Sequence, residues 1–274
     1  MFAILYWGIV TSLKTKLDLR YNFVGLPDIW YKPWTWEWKN YITAFKSLYV
    51  PIKTADGTAN VYLLRLIVNS LIYCVSCAVV GQIVPCCTAY ATSRFKDFRL
   101  SKILVSIVYI TMVIPIFGTL PSQLQIAKDL GLYGSLWGHL IRTAGYSGVS
   151  FLVYRAAFLK VPQDFREAAQ IDGAGEFFIM FVIMIPLVIG TFFTFALLSF
   201  VGCWGDYMTP LIWIPNMPTL AYGLYKFSTS TTNTINNIPS RITGCVIALI
   251  PVLVIFSVAS SKFTMNLTMG GVKE

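Results

Sequence analysis

The amino-acid sequence predicts an all-α membrane protein with about six transmembrane helices, forming a single transmembrane domain over residues 1–274. Of its 274 residues, 56% are hydrophobic and only 12% are charged, whereas soluble domains carry roughly 25% charged residues. Its mean hydropathy is +0.67. Several apolar segments also reach the length of about 20 residues that an α-helix needs to cross a bilayer. A chain this apolar is expected to lie in a membrane.

The first apolar segment, residues 1–12, is too short to cross a bilayer. We interpret it as the second half of a partial first span, so that either Met1 is an internal start or the sequence is a fragment. A cleaved signal peptide is the alternative, but no basic segment and no small-x-small cleavage site precede Lys14.

Residues 13–61 are polar and aromatic, and they are predicted to form an external loop. A short interfacial helix is expected from Trp36 to Leu48. The loop contains four clustered tryptophans: Trp30, Trp34, Trp36 and Trp38. Tryptophan is enriched where a membrane meets water, although ordinary packing of a long loop explains the cluster equally well.

Four further apolar segments are predicted to be the second, third, fifth and sixth spans: residues 63–91, 103–121, 180–201 and 242–262. The fourth segment, residues 132–160, would form a helix of about 43 Å, longer than the roughly 30 Å hydrocarbon core. A break is therefore predicted near residues 143–148, with a short helix before it and the span after it. Broken helices in transporters often line the route; a tilted, unbroken helix with an exposed end is the alternative.

Residue chemistry argues against an enzyme or a metal protein. Five of the six cysteines fall inside apolar segments and are predicted to be small core residues: Cys74, Cys77, Cys86, Cys87 and Cys245. His139 is the sole histidine, and no catalytic triad or GxxxxGKS/T phosphate loop is present. No cofactor, metal or nucleic acid is therefore expected, and the net charge of +9 is assigned to loops that face anionic lipid headgroups.

The distribution of basic residues predicts the orientation. Residues 92–102 carry four basic side chains: Arg94, Lys96, Arg99 and Lys102. Residues 13–61 carry seven Lys or Arg, so the raw counts on the two sides are nearly even. Long loops follow the positive-inside rule poorly, and the short dense loop is therefore taken as cytoplasmic. Residues 160–179 and the tail at residues 263–274 then lie in the cytoplasm as well.

A polar, small-residue turn lies between two long apolar segments at residues 160–179. Pro162 is predicted in the first turn of a helix, and residues 163–172 are compatible with that helix. Gly173 stands where a left-handed stop is needed. Gly175 and Glu176 then open the next helix, with the acid at its positive end. The predicted product is a pair of helices joined by a tight turn.

The same turn offers surfaces for a partner protein. Ala168 and Ala169 are small and permit close approach. Phe165 and Ile171 offer apolar contact. Two acids, Glu167 and Asp172, offer partners for Arg or Lys. A solvated amphipathic linker is the alternative that composition alone leaves open.

The spacing of this segment resembles the EAA loop of binding-protein-dependent ABC importers, EAA---G---------I-LP. Every fixed position matches except one, where Ile185 replaces Leu. Other segments resemble the smaller permease of the maltose-type sugar importers: Ser12-Leu13-Lys14, Asn69-Ser70, Ala89-Tyr90-Ala91 with Arg94-Phe95, Leu130-Gly131-Leu132, Trp204 followed by Asp206, and Leu267-Thr268-Met269-Gly270-Gly271-Val272-Lys273.

The resemblance implies a type I ABC importer permease (MetI-like) fold in a bacterial inner membrane. It implies four kinds of partner: a second related permease, two ATPases that bind the ATP, an extracytoplasmic solute-binding protein and a sugar substrate. The ATPase-coupling residues it implies are Glu167, Ala168, Ala169, Asp172, Gly173 and Pro186. Among these, Glu167 is expected to make a charge-assisted contact with an ATPase arginine.

Residues that would contact the substrate are expected near the fifth span. Four residues near the fifth span are expected to face the route: Ser199, Trp204, Asp206 and Tyr207. The alternative is that the aromatic side chains of this group lie at the membrane–water interface.

An importer of polyamine, phosphate or amino acid would share the loop but not the other maltose-type segments. A secondary transporter or channel would need intramembrane acids for ion coupling, and the central apolar stretches hold none; a membrane scaffold would not need a loop of fixed spacing.

Overall fold

Helices dominate the chain, as its composition predicts. The computed structural model describes residues 2–27, 32, 36–54, 57–114, 118–144, 148–229 and 238–269. Its helices are α1 (Phe2–Ser12), α2 (Lys16–Tyr21), α3 (Lys39–Ser47), α4 (Leu63–Arg94), α5 (Arg99–Val113), α6 (Leu120–Asp129), α7 (Leu136–Ala144), α8 (Val149–Lys160), α9 (Asp164–Ile171), α10 (Glu176–Phe178), α11 (Ile185–Leu187), α12 (Ile189–Gly205), α13 (Met208–Trp213), α14 (Leu220–Thr229) and α15 (Ile238–Met269). A π-helical segment, Ile179–Met184, joins α10 to α11.

The chain divides into two units. The first contains Met1–Tyr73 and Trp204–Ala259, and the second contains Cys74–Cys203 and Ser260–Glu274.

The first unit contains an antiparallel hairpin that the sequence analysis did not predict. Strands β1 (Tyr49–Thr54) and β2 (Gly57–Tyr62) pair in the register Val50↔Val61. The predicted external loop of residues 13–61 therefore contains regular structure, including α3 within the expected interfacial helix. Trp36 and Trp38 stack with ring centroids 6.5 Å apart. Trp30 and Trp34 lie outside the described residues.

A buried polar cluster holds the end of α1 in this unit. The side-chain amide of Asn40 donates to the backbone carbonyls of Ser12 and Lys14, at 3.0 Å each. The hydroxyl of Ser240, on α15, donates to Asn40 Oδ1 at 3.1 Å. The hydroxyl of Thr243 also donates to the Ser12 carbonyl, at 3.3 Å. Because the last carbonyls of a helix have no partner within it, these side chains satisfy the end of α1.

The second unit has an apolar core to which α4, α8, α9 and the π-helical segment contribute. Its central residues are Cys86, Ala89, Tyr90, Phe151, Tyr154, Phe158, Ala169, Ile179, Met184 and Val188. Cys86 is 1% exposed, and Cys74 and Cys77 are also buried, as predicted. Cys87 is half-buried and Cys245 is exposed, so the prediction of a core position is wrong for Cys245.

The predicted spans are only partly continuous. Within the described part of the chain, α4 is the one helix that is long and apolar enough to cross a bilayer by itself. The predicted third span is interrupted, because α5 ends at Val113 and α6 begins at Leu120. Helix α15 contains the predicted sixth span and continues to Met269.

The predicted fifth span is also not a single rod. The axis of Glu176–Leu187 makes an angle of 74° with that of Ile189–Gly205. By contrast, the predicted break in the fourth segment is confirmed at Gly148, whose backbone is not helical (φ −128°, ψ −137°) and precedes the start of α8 at Val149. Helix α7 ends at Ala144, and residues 145–147 of the predicted break lie outside the described residues. Helix α8 has 12 residues, or about 18 Å, which is shorter than the roughly 30 Å hydrocarbon core of a bilayer. Six spans therefore remains a prediction.

Candidate partner-docking loop

The loop at residues 160–179 begins where α8 ends. After Lys160, the backbone is extended at Val161 (φ −71°, ψ 127°), and α9 starts at Asp164. Pro162 therefore precedes the helix, and the prediction that it lies in the first turn is wrong. The prediction misplaced it because Gln163, which follows it, is the residue that flanks the helix start.

Gly173 ends α9 in the left-handed conformation that the sequence predicts, with φ of +78°. The N–H of Gly173 donates to the carbonyl of Gln170 at 3.0 Å, and that of Ala174 donates to the carbonyl of Ala169 at 2.9 Å. This pair of bonds is the Schellman motif, which satisfies carbonyls at the helix end. A Cβ at Gly173 would meet no atom within 4 Å, so the backbone conformation alone favours glycine here.

Helix α9 presents one face to the outside and one to the core. Glu167 and Ala168 are exposed, whereas Ala169 is only 8% exposed and packs in the core of the second unit. Ile171 is 87% exposed, although it is a large apolar residue. The surface available to a partner therefore combines Glu167, Ala168, Ile171 and the exposed Asp172, while Ala169 faces inward.

Glu176 connects the loop to the end of α4. Its carboxylate lies 3.2 Å from a terminal guanidinium nitrogen of Arg94. It also accepts hydrogen bonds from the Gln170 side-chain amide at 2.9 Å and from the Tyr90 hydroxyl at 3.4 Å. One carboxylate thus holds α4, α9 and the start of α10 together. From the sequence alone, Glu176 is recognisable only as an acid at a helix start, because its partner Arg94 lies 82 positions away.

Pro186 lies in α11, next to the 74° bend at Val188. Proline has no N–H for a helical hydrogen bond, and its ring crowds the carbonyl four residues earlier. The preceding Ile179–Met184 is π-helical, and such segments are also sites where helices bend. Pro186 is thus positioned in the bent helix rather than on the exposed face of α9.

Two of the four predicted route residues come together in the first unit. Trp204 and Tyr207 line a cavity of about 440 Å³. There, the ring of Tyr207 stacks on Tyr225 with centroids 4.5 Å apart and planes 10° apart. Asp206 instead accepts a hydrogen bond from the Thr209 N–H at 3.0 Å, which satisfies a donor at the start of α13.

Ser199 belongs to the second unit and forms part of an internal polar chain. The side-chain amide of Gln82 donates to the Ser199 hydroxyl at 2.9 Å. The hydroxyl of Tyr154 donates to Gln82 Oε1 at 3.2 Å. This chain connects α4, α8 and α12, and it gives Ser199 a structural partner.

The chain is similar in sequence to known membrane transport proteins. Residues 85–264 match the family described as binding-protein-dependent transport system inner membrane component. The probable starch degradation products transport system permease protein AmyC of Thermoanaerobacterium thermosulfurigenes is 29% identical, over 98% of this chain and 90% of that protein. The melibiose/raffinose/stachyose import permease protein MelC of Bacillus subtilis is 24% identical, over 99% of this chain and 91% of that protein.

A solved structure has the same fold. It is a bacterial ABC transporter involved in the import of the acidic polysaccharide alginate, with a TM-score of 0.72 and 22% sequence identity. The match covers 96% of this chain and 90% of that chain. The family match extends over most of the chain and includes the whole of the loop described above. This protein therefore belongs to the family of binding-protein-dependent transport system inner membrane components.

Proposed function

We propose that this chain is a permease subunit of an ATP-driven importer that takes up a carbohydrate. It forms half of the translocation pathway, and a second, related permease forms the other half. The names of its relatives support a carbohydrate, because they refer to starch degradation products and to melibiose, raffinose and stachyose. The chain has no phosphate loop in its sequence, and ATP is bound and hydrolysed by two partner ATPases.

The exposed face of α9 is the observation that carries this proposal. It presents the Glu167 carboxylate beside the small Ala168, with the apolar Ile171 close to the end of the helix. A carboxylate that meets a guanidinium forms a strong, charge-assisted pair. The small side chain lets the helix approach a groove, and the apolar one gains from being removed from water. This combination fits an ATPase groove that carries a basic residue and an apolar wall.

The anchoring of α9 supports a mechanical role. The Gly173 turn fixes where the helix ends, and Glu176 ties it to Arg94 at the end of α4. On its inner side, Ala169 packs against the core. A displacement of α9 by a closing ATPase dimer is therefore passed to α4 and α8, and rigid-body rocking of these helices alternates access to the route.

The aromatic cavity in the first unit is the part of this chain that we assign to the route. Tyr207 and Tyr225 are about one-third exposed at its edge, and Trp204 lies deeper, at 8% exposure. Ligand sites combine aromatic walls with a few polar groups. The ring faces suit the C–H groups of a sugar, and the phenol hydroxyls suit its oxygens.

Isolation of the complex tests the proposal. The chain is purified from its native membrane in mild detergent, and the proteins that remain bound are identified by mass spectrometry. We expect a second permease and an ATPase, and ATPase activity in proteoliposomes that rises when a binding protein and its sugar are added. A chain that purifies alone under conditions that preserve a known importer would refute the assembly, and stimulation only by a polyamine, phosphate or amino acid would refute the carbohydrate.

The docking face is tested in the same preparation. Glu167→Lys reverses the charge on the exposed face and is expected to reduce ATPase co-purification. Asp129→Lys is the matched control, since Asp129 is an exposed acid at the end of α6, outside the loop. Equal ATPase recovery from both variants would remove Glu167 from the interface.

Orientation is tested by chemical labelling. We place the loop and the C-terminal tail in the cytoplasm. A single reactive cysteine at the exposed Asp172 is expected to react with an impermeant maleimide only after the membrane is opened. Labelling in intact cells would reverse the topology.

A further inference from the structure

A second cavity lies where α4 ends and the α8–α9 connection begins, entirely within the second unit. Its volume is about 240 Å³, below the 300–1,000 Å³ of sites for drug-sized ligands. Arg94, at the end of α4, and Lys96, just after it, line the cavity together with Arg166 of α9. One acid, Asp97, also lines it. Glu176 pairs with Arg94 from outside the lining, so three cations face two carboxylates and one positive charge remains uncompensated.

Two of its cations have donors without protein partners. The Nε atoms of Arg94 and Arg166 are buried and make no hydrogen bond within the described part of the chain. Arg94 uses a terminal nitrogen for Glu176, which leaves its Nε–H available. A buried donor without an acceptor is unfavourable, so an anion with several oxygens would satisfy both guanidinium groups. Guanidinium donors match phosphate oxygens in geometry as well as in charge.

The apolar part of the lining indicates the source of that anion. Phe158 and Val161 come from the end of α8, and Met184 comes from the π-helical segment. Two predicted apolar segments, residues 63–91 and 132–160, end at this cavity, which places it at the depth of lipid headgroups. Basic pockets beside apolar helix ends bind anionic headgroups. A soluble inorganic phosphate would gain nothing from the apolar walls.

We propose that this cavity binds the phosphate headgroup of an anionic phospholipid, with Arg94, Lys96 and Arg166 as its ligands. The lipid joins α4 to the start of α9 through charge, beside the Glu176 contact. The proposal depends on the local geometry of this chain and not on the cargo of the importer.

Native mass spectrometry of the full-length chain tests the site. Phosphatidylglycerol is added to delipidated protein in detergent and compared with phosphatidylcholine and with inorganic phosphate. We expect one preferentially retained phosphatidylglycerol, which inorganic phosphate at the same concentration does not displace. Equal retention of phosphatidylcholine would overturn the proposal, and so would displacement by inorganic phosphate.

Matched variants locate the binding. Arg166→Gln and Lys96→Gln are each expected to weaken phosphatidylglycerol retention about fivefold. Lys102→Gln removes the same charge from an exposed position outside the cavity and is expected to leave retention unchanged. Lys96 is exposed, so its variant folds even where Arg166→Gln does not. Equal losses of phosphatidylglycerol retention in all three variants would show a general charge effect. Unchanged lipid retention with weaker ATPase co-purification would show that a protein carboxylate occupies the cavity. Either result overturns the proposal.

Discussion

Replacing Gly173 with valine tests whether the turn after α9 transmits motion. Gly173 has φ of +78° and donates one of the two hydrogen bonds that close the helix. Valine disfavours positive φ because its branched Cβ crowds the backbone. The variant is therefore expected to loosen the turn, while the apolar core of the second unit, to which Gly173 contributes no side chain, stays intact.

The magnitude follows from what surrounds the glycine. A Cβ at Gly173 has no neighbour within 4 Å, so the cost is that of the backbone conformation alone. The left-handed region costs an L-residue about 1–2 kcal/mol, which lowers the population of the native turn roughly 5- to 30-fold relative to its alternatives. A β-branched residue lies at or above the upper end of that range. Escape from positive φ would also break the two closing hydrogen bonds, at about 1 kcal/mol each.

The assay is ATPase stimulation by loaded binding protein in the assembled importer, at matched membrane abundance. Gly173→Val should lose most of the stimulation, and Gly173→Asn should retain it, because asparagine tolerates the left-handed region. Gly175→Ala is the control, since Gly175 is in the same loop, has open space at its Cβ and has an ordinary φ of −72°. Normal transport and stimulation in Gly173→Val would refute this account of the turn, as would an equal loss in Gly175→Ala.

Two further predictions concern polar contacts. Glu176→Ala should uncouple ATP hydrolysis from transport with little loss of stability, because the ion pair of Glu176 with Arg94 is partly exposed and worth at most about 1 kcal/mol. Exchanging the two residues should restore part of the coupling. No recovery in the exchanged variant would show that the pair itself is not needed. Asn40→Leu should lower the thermal unfolding temperature in detergent, because it leaves the Lys14 carbonyl without its side-chain donor, at about 1–3 kcal/mol. The Ser12 carbonyl keeps the longer hydrogen bond from Thr243. An unchanged unfolding temperature would show that water replaces the amide.

Local chemistry made the turn after α9 predictable. Its two closing bonds span no more than five residues, and glycine is the residue that tolerates the required φ. The break between α7 and α8 was predictable as well, because the apolar segment exceeds the bilayer thickness. Contacts over long separations were not: Arg94 meets Glu176 across 82 positions, and neither residue shows its partner in a single sequence.

Two elements were missed for different reasons. The hairpin of β1 and β2 is accompanied by an Asp56-Gly57 dipeptide between two strand-favouring runs. This dipeptide is a hairpin signal, although the register pairs Gly57 with Thr54 and so places Gly57 in β2. Hydropathy does not detect the hairpin, because its strands are short and partly polar.

The bend at Val188 has one local signal, Pro186, because proline kinks helices. Hydropathy does not register it, since residues 180–201 carry no charge and form one apolar segment. Hydropathy measures the length of an apolar segment and not its direction.

Pro186 allows a test of what sets that bend. In a regular α-helix, residue 186 would donate to the carbonyl four residues earlier, and proline has no N–H to do so. The π-helical Ile179–Met184 directly precedes it and is a second cause of bending. Pro186→Ala restores the donor and keeps the π-helical sequence, so it separates the two causes. The bend follows the loop along the chain, and straightening it would redirect the loop relative to α12.

The distance between spin labels on the two arms measures the effect. Phe177 and Leu198 are exposed at 79% and 60%, and they lie about ten residues on either side of Val188. With a rise of 1.5 Å per residue and a 74° bend, the straight-line distance between the helix-axis positions of these two residues is about 25 Å. In a straight helix it would be about 32 Å. Pro186→Ala should lengthen the distance towards the straight value and reduce ATPase stimulation, whereas Leu187→Ala, which keeps the adjacent proline, should do neither. An unchanged distance in Pro186→Ala would assign the bend to the π-helical segment and remove Pro186 from the coupling set.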